Sequence, residues 1–284
     1  MTFHRLVNLS SPINGVLMPM AFARELLRKS LRNSPFRWWL PNLRWRLSNH
    51  LSRKEVIQRV IDDLGGQRYL EIGVDEGDCF CAISVPQKIG VDPAPAAPLV
   101  VAEQTKPGVH YFALTSDQFF EKVAPEVLAG GVDVVFIDGL HTYQQAYQDC
   151  MNALEYLSQG GVILLHDCLP TSEEEARVAH SYEDAKEINS GSNWNGNWVG
   201  DVWKAIVRLR AHHQDLGTRV LDCDHGIGVV LREKNESRLN LSLEQIDTMT
   251  FADLVPNAKP YLGLCKPKNL IASVARAQKL HRNK

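Results

Sequence analysis

The chain is short of several things, and each absence narrows what it can be. None of its apolar runs approaches the roughly 18 residues that a membrane-spanning helix requires, so no such helix is expected. Neither charge sign dominates: 31 Lys and Arg stand against 33 Asp and Glu, a formal net of −2, and no nucleic-acid partner is expected. Cys79, Cys81, Cys150, Cys168, Cys223 and Cys265 form no Cys-x-x-Cys pair and lie in or beside apolar runs. That spacing excludes a zinc knuckle, and the low density excludes a secreted disulfide scaffold, so the six read as reduced thiols in a cytoplasmic protein. Low-complexity, collagen-like and coiled-coil compositions are missing too. With 44% apolar and 23% charged residues over 284 positions, the make-up is that of a globular protein of one large or two small domains.

Charge is unevenly placed along the chain. Residues 1–54 carry ten Lys or Arg and one acid, Glu25, for +9, while the remaining 230 carry 21 basic and 32 acidic residues, for −11. A basic arm is therefore expected over 1–51. Within it Arg24, Arg28 and Arg32 recur at helical spacing, with Ala23, Leu26, Leu27 and Leu31 turned elsewhere, and the Trp-containing stretch Pro35 to Pro41 follows. Such an arm packs on the acidic body or on a second subunit of a homo-oligomer, or makes a peripheral contact with a membrane surface. Ala21-Phe22-Ala23 suggests a signal-peptide cleavage site, but Asn14, Gly15 and Pro19 interrupt the apolar patch before it.

From residue 52 helix and strand alternate. Ser52 and Glu55 form a capping box, Val56, Ile57, Val60, Ile61 and Leu64 form a buried stripe, and Gly65-Gly66 stops the helix. Apolar runs at 69–72, 89–91, 110–114, 132–137 and 161–165 read as buried parallel strands, with a helix on Tyr143, Tyr147, Cys150, Leu154 and Leu157 before the last. After a helix at 202–212, runs at 219–221 and 227–231 are joined by a link short enough for an antiparallel pair. The expected fold is a doubly wound, Rossmann-like α/β sheet, mostly parallel with an antiparallel last strand and helices on both faces. It would occupy 52–235, followed by a helical extension at 236–284.

Ligands of such sheets lie beyond the carboxyl ends of the strands. The first strand runs into Glu71-Ile72-Gly73-Val74-Asp75-Glu76-Gly77-Asp78, where a dinucleotide fingerprint would want Gly at 75 and 78. Asp75, Glu76 and Asp78 would repel a pyrophosphate and welcome a cation. Asp92, 19 residues past Gly73, stands at the spacing from which an acid reaches ribose hydroxyls. A cationic nucleoside satisfies both features, and S-adenosylmethionine is one.

Glu71-x-Gly73-x-x-x-Gly77, Asp92, Ser116-Asp117 after strand three, Asp138 after strand four and Gly160-Gly161 before strand five, taken together over 53–232, resemble a class I methyltransferase. The resemblance implies that Glu71, Gly73 and Gly77 border the methionine part, Asp92 the ribose and Ser116-Asp117 the adenine, with Asp138 beside the cofactor. On the residues alone, Gly77 could simply open a helix and Asp117 could simply cap one beginning at Gln118.

Phe136-Ile137-Asp138-Gly139-Leu140-His141-Thr142-Tyr143 with His166-Asp167 resembles the group containing macrocin O-methyltransferase. That resemblance implies a divalent cation, Mg or Mn, on Asp138 and Asp167, and His141 as base. Cys168 stands where a further carboxylate would be expected. The chemistry suits these residue types, because a hydroxyl attacks a sulfonium methyl group poorly until an imidazole or a cation relieves it of its proton. The acceptor would be a small molecule or glycan. Asn189 to Gly200 carries Trp194 and Trp198 among turn formers, and reads equally as a substrate lid or as a loop whose indoles bury in the core. The alternative to an enzyme is a nucleoside-binding module without turnover, docking on a partner or membrane through its arm.

Overall fold

The computed structural model describes residues 51–235, 237–270 and 274. The arm expected over 1–51, with its amphipathic helix and Trp-rich stretch, lies outside the described residues except for Leu51.

Helix α1 (Arg53–Leu64) begins where the capping box predicts: the Ser52 hydroxyl accepts from the Glu55 amide, and the Glu55 carboxylate accepts from the Ser52 amide. It stops at Gly65 in the left-handed conformation. Strands β1 (Arg68–Ile72), β2 (Gln87–Asp92), β3 (Val109–Ala113), β4 (Val132–Ile137), β5 (Leu157–Leu165), β6 (Gly217–Leu221) and β7 (Ile227–Leu231) form one sheet in the order β3-β2-β1-β4-β5-β7-β6. All neighbours are parallel except that β7 runs antiparallel to both β5 and β6. The antiparallel closing strand is as the short link predicts. Ile72 pairs with Val91 and with Ile137, so β1, β2 and β4 end level with one another at the point where strand order reverses.

Side chains alternate across this sheet. Leu70, Ile72, Val135, Ile137, Ile163 and Leu165 pack with helices α3 (Ser116–Lys122), α5 (Tyr143–Tyr156) and α7 (Trp203–His212) into the main core. Tyr69, Val134, Phe136, Val162 and Leu164 are buried on the opposite face, where α1 lies against β4 and β5. Shorter helices are α2 (Pro98–Glu103), α4 (Ala124–Val127) and α6 (Tyr182–Ile188). Beyond β7, α8 (Leu243–Thr248) and α9 (Phe251–Leu262) pack on α7, and Cys265 bridges to Leu221 at the free edge of β6.

Two local readings change. Among the described residues, no α-helix joins β1 to β2; the link makes turns and one 3-10 turn, Phe80–Ala82. Gly77 therefore does not open a helix, and the glycine loop has no helix dipole to offer an anion. The helix after β3 is capped by Thr115, whose hydroxyl accepts from the Gln118 amide, which leaves Asp117 within the first turn rather than at the cap. All six cysteines are free, and among the described residues no helix is long and apolar enough to cross a membrane.

Candidate active site

A cleft of about 1040 Å³ opens over the ends of β1, β2, β4 and β5. It is lined by Glu71, Gly73, Asp92, Ser116, Asp117, Asp138, His141 and Asp167, so of the residues expected to hold cofactor or metal or to act as base only Gly77 falls outside it. Gly77 is buried at φ 85°, where a Cβ would crowd the Val100 methyl of α2; it shapes the loop from behind. Gly73, also at φ 85°, lets the loop cross the end of β4, where any Cβ would overlap the Asp138 carbonyl oxygen.

Four non-glycine residues among those described adopt positive φ: Asp75, Asp167, Asp224 and His225. Three line the cleft, and Asp224 approaches His166 in its wall. Backbone held in this sparsely populated region needs a surrounding structure that imposes it, and such residues gather at functional sites.

At one end of the cleft, Asp92 clasps the loop: Oδ2 accepts from the amides of Val74 (3.0 Å) and Asp75 (2.9 Å), and Oδ1 accepts from Ala94 (2.8 Å). Beside it Gln145 of α5 donates to Ser116 Oγ (3.2 Å), Asp117 Oδ1 (3.1 Å) and Asp149 Oδ1 (3.0 Å). Burial pushes the Asp149 carboxyl up to about 6. Glu71, 1% exposed, takes the Tyr69 hydroxyl on Oε2, while its Oε1 has no hydrogen-bond partner among the described residues. Burial, only partly offset by that hydroxyl, lifts it to about 8.

The other end is a knot of imidazoles and carboxylates. His141 Nδ1 lies 2.8 Å from the Trp198 carbonyl oxygen and 3.3 Å from Asp167 Oδ2; its Nε2 lies 3.5 Å from Asp138 Oδ1. A carbonyl only accepts, so Nδ1 carries the hydrogen and the lone pair of the neutral ring is on Nε2. His166 Nδ1 approaches Asp167 Oδ1 (3.1 Å) and Asp138 Oδ1 (3.3 Å), and its Nε2 approaches Asp224 Oδ1 (3.7 Å). Desolvation opposes charge on Asp138, His141 and His166, but the attraction between imidazoles and carboxylates prevails. Asp138 is held below the usual carboxylate range by His166 and His141, His141 is raised by Asp138 and Asp167, and His166 is raised well above the ordinary imidazole by the same two acids. Asp138, His141 and Asp167 each present a ligand atom within 4.8 Å of the others. Cys168 is turned away, its buried thiol against the Leu165 and His166 carbonyls, so it takes no part in that group.

Over this knot lies the loop at 189–200. Trp198 is half-buried in the cleft wall with its ring 4.9 Å from that of His141, while Trp194 rests on Tyr182 at the surface. Neither indole is in the core. Gly200 makes this approach possible, since a Cβ there would overlap the His141 carbonyl oxygen. Sequence reasoning missed Arg53, Gln145, Asp149, Asp201 and Asp224. Only Gln145 and Asp149 leave a signal, as polar residues four apart on a face of α5 that otherwise turns inward.

Comparison with known proteins places residues 70–168 on the family model described as a methyltransferase domain. No curated protein matches the chain by sequence. Solved structures that resemble it include an O-methyltransferase from Bacillus cereus in complex with SAH (16% identity, TM-score 0.46, covering 74% of this chain and 97% of that one). A SAH-bound methyltransferase from Podospora anserina is similar at 15% identity and TM-score 0.45, over 78% of this chain and 100% of that one. So is a methyltransferase of the mycinamycin biosynthetic pathway, solved with Mg, SAH and mycinamycin VI, at 15% identity and TM-score 0.40 over 65% and 50%. Likeness at this distance says nothing of the acceptor.

Proposed function

Because residues 70–168 form a methyltransferase domain, we propose that this chain transfers the methyl group of S-adenosylmethionine to a hydroxyl of a small molecule or sugar. The observation that carries the reading is the two-ended cleft. An acid-rich loop without a helix dipole, Asp92 and the Ser116–Asp117–Gln145 corner suit a cationic nucleoside at one end, and an imidazole with its lone pair on Nε2 stands at the other.

In the transfer, the acceptor oxygen forms a bond to the methyl carbon as the carbon–sulfur bond breaks, and the electron pair returns to sulfur. The hydroxyl proton passes to His141 Nε2, where Asp138 Oδ1, 3.5 Å away, stabilises the imidazolium. The Trp198 carbonyl and Asp167 hold the ring's other nitrogen, which fixes both tautomer and direction. Alignment of oxygen, carbon and sulfur supplies much of the remaining acceleration.

Two of the neighbouring donors, the Asp138 and Asp167 carboxylates, are oxygen ligands of the kind that hard divalent cations accept. Asp138 and Asp167 would hold Mg or Mn, with His141 left free as base, and such an ion would acidify a bound hydroxyl.

The test is methyl transfer from labelled S-adenosylmethionine to a panel of phenols, catechols and sugars. His141→Ala is expected to keep its affinity for S-adenosylhomocysteine and to lose roughly 10²–10⁴-fold in turnover. Undiminished turnover would remove the base. If a cation participates, EDTA abolishes transfer and Mg or Mn restores it; indifference to chelation leaves the two acids as hydrogen-bonding groups. Nucleoside binding with no transfer to any acceptor would favour the binding module instead.

A further inference from the structure

We propose that Arg53 is the residue that binds the α-carboxylate of the cofactor's methionine part. The proposal rests on the S-adenosylmethionine reading above and assigns a group that the motif leaves without a partner.

The amino-acid head of the cofactor is a zwitterion, and its carboxylate must be met by a cation or by donors inside a cleft lined with acids. Ten Asp or Glu residues line the cleft against one Arg and no Lys among the described residues; the Arg is Arg53. His141 and His166 have their ring nitrogens turned to Asp138, Asp167, Asp224 and the Trp198 carbonyl. Nor is there a helix start behind the glycine loop to receive an anion, because that link forms only the 3-10 turn. Arg53 is thus the one strong cation that the cleft offers among the described residues.

Its position fits. Arg53 opens α1, on the face of the sheet that carries Tyr69 and Phe136, and its backbone amide donates to the Asp224 carboxylate across the end of the cleft. The adenosine corner lies at the far side, on Asp92 and Gln145. A methionine tail running from that corner over Gly73 reaches the wall formed by Arg53 and Glu71.

The guanidinium also has capacity to spare. Its Nη1 is 3.7 Å from Asp138 Oδ2 and 3.4 Å from each ring nitrogen of His166, equidistance that describes a contact with the ring rather than a hydrogen bond into one lone pair. With five N–H donors and a side chain one-third exposed (33%), it can turn a two-pronged edge to a carboxylate without breaking any close pair. Glu71 supplies the independent sign of a missing ligand: a carboxylate oxygen in the same wall, 1% exposed as a residue, with no donor among the described residues. An α-ammonium group beside it would complete it. Together Arg53, as the cation, and the unpartnered Glu71 oxygen, as an acceptor, suit the two ends of an amino-acid head group.

The experiment is calorimetric titration of S-adenosylhomocysteine, and of its decarboxylated analogue S-adenosyl-3-thiopropylamine, into the wild type, Arg53→Gln and Arg53→Lys. The analogue keeps the amine and lacks only the carboxylate, so the comparison is a double-mutant cycle between residue and ligand group. Arg53→Gln is expected to weaken S-adenosylhomocysteine by roughly 10- to 100-fold, the usual worth of a charge-assisted pair, and to leave the analogue within about twofold. Arg53→Lys should recover part of the loss, since it restores the charge without the fork. Equal weakening of both ligands would make Arg53 structural and overturn the assignment, as would an unchanged affinity for S-adenosylhomocysteine. A wild type that binds neither nucleoside refutes the cofactor reading itself, a result distinct from either.

Discussion

Glu71 shows what burial does to a single carboxyl at the floor of a cleft. Its ordinary value of 4.5 is pushed to about 8, so the fold favours the protonated form. A group raised in this way contributes its full share to stability below its unfolded value and loses it as pH climbs through the folded one. Asp149 acts in the same direction but is finished by about 6, whereas the raised His141 and His166 also lose stability above that, so the contribution of Glu71 between pH 6 and 8 is read as the difference from Glu71→Gln. In urea unfolding without ligand, wild-type protein is expected to decline more steeply than Glu71→Gln across that range, by on the order of 1–3 kcal/mol. Parallel curves for the two proteins would mean that Glu71 ionises freely. At this scale the sequence was legible wherever a residue follows directly on a strand end: Gly73, Asp92, Asp138, His141 and Asp167 all reach the cleft from such positions. Arg53 and Asp201 were not, because they act over distance in the chain. Arg53 meets His166 113 positions on, and Asp201 accepts from the Tyr143 amide 58 positions back, doing the work of a local helix cap.

The loop at 189–200 and helix α5 behave as a linked pair of elements. Gly200 rests against the His141 backbone, Trp198 holds the His141 ring, and Asp201 closes the start of α5. Gly200→Ala, at φ 63° and against the His141 carbonyl, must push the loop away and with it the base. Turnover is expected to fall by roughly tenfold or more with S-adenosylhomocysteine affinity retained, because small misplacements of a reacting group are costly. An unaltered kcat would show that the loop does not position His141. Amphipathic periodicity revealed α1 and α5, whose buried faces repeat every three or four residues. It gave no warning of the 3-10 turn after the glycine loop, nor of α2 and α6, which are too short to show a period.

At the scale of the whole molecule, the segment after β7 is bound into the body. Ile246, Leu254 and Leu262 are buried, α8 and α9 cover α7, and Cys265 exchanges hydrogen bonds with the edge of β6 through the Val220 carbonyl and the Asp222 amide. Uncovering these side chains removes about 1.5–3 kcal/mol of burial for each, an amount comparable in sum with the total stability of an ordinary domain. A chain ending at residue 235 is therefore expected to lose its cooperative thermal transition, as read by near-ultraviolet circular dichroism. Retention of a sharp transition would establish 52–235 as a self-sufficient unit. Charge segregation and strand alternation were readable over this whole length; the fastening of the tail was not, since its apolar positions find their partners on α7.

Asp92 has a further consequence. Its Oδ2 spends both lone pairs on the amides of Val74 and Asp75, while Oδ1, which accepts from Ala94, keeps one for an incoming hydroxyl. On the function proposed above, the lip of β1 is braced by the protein's own backbone bonds, so slow opening in a catalytic cycle is expected at the other rim, where Trp198 leans over His141.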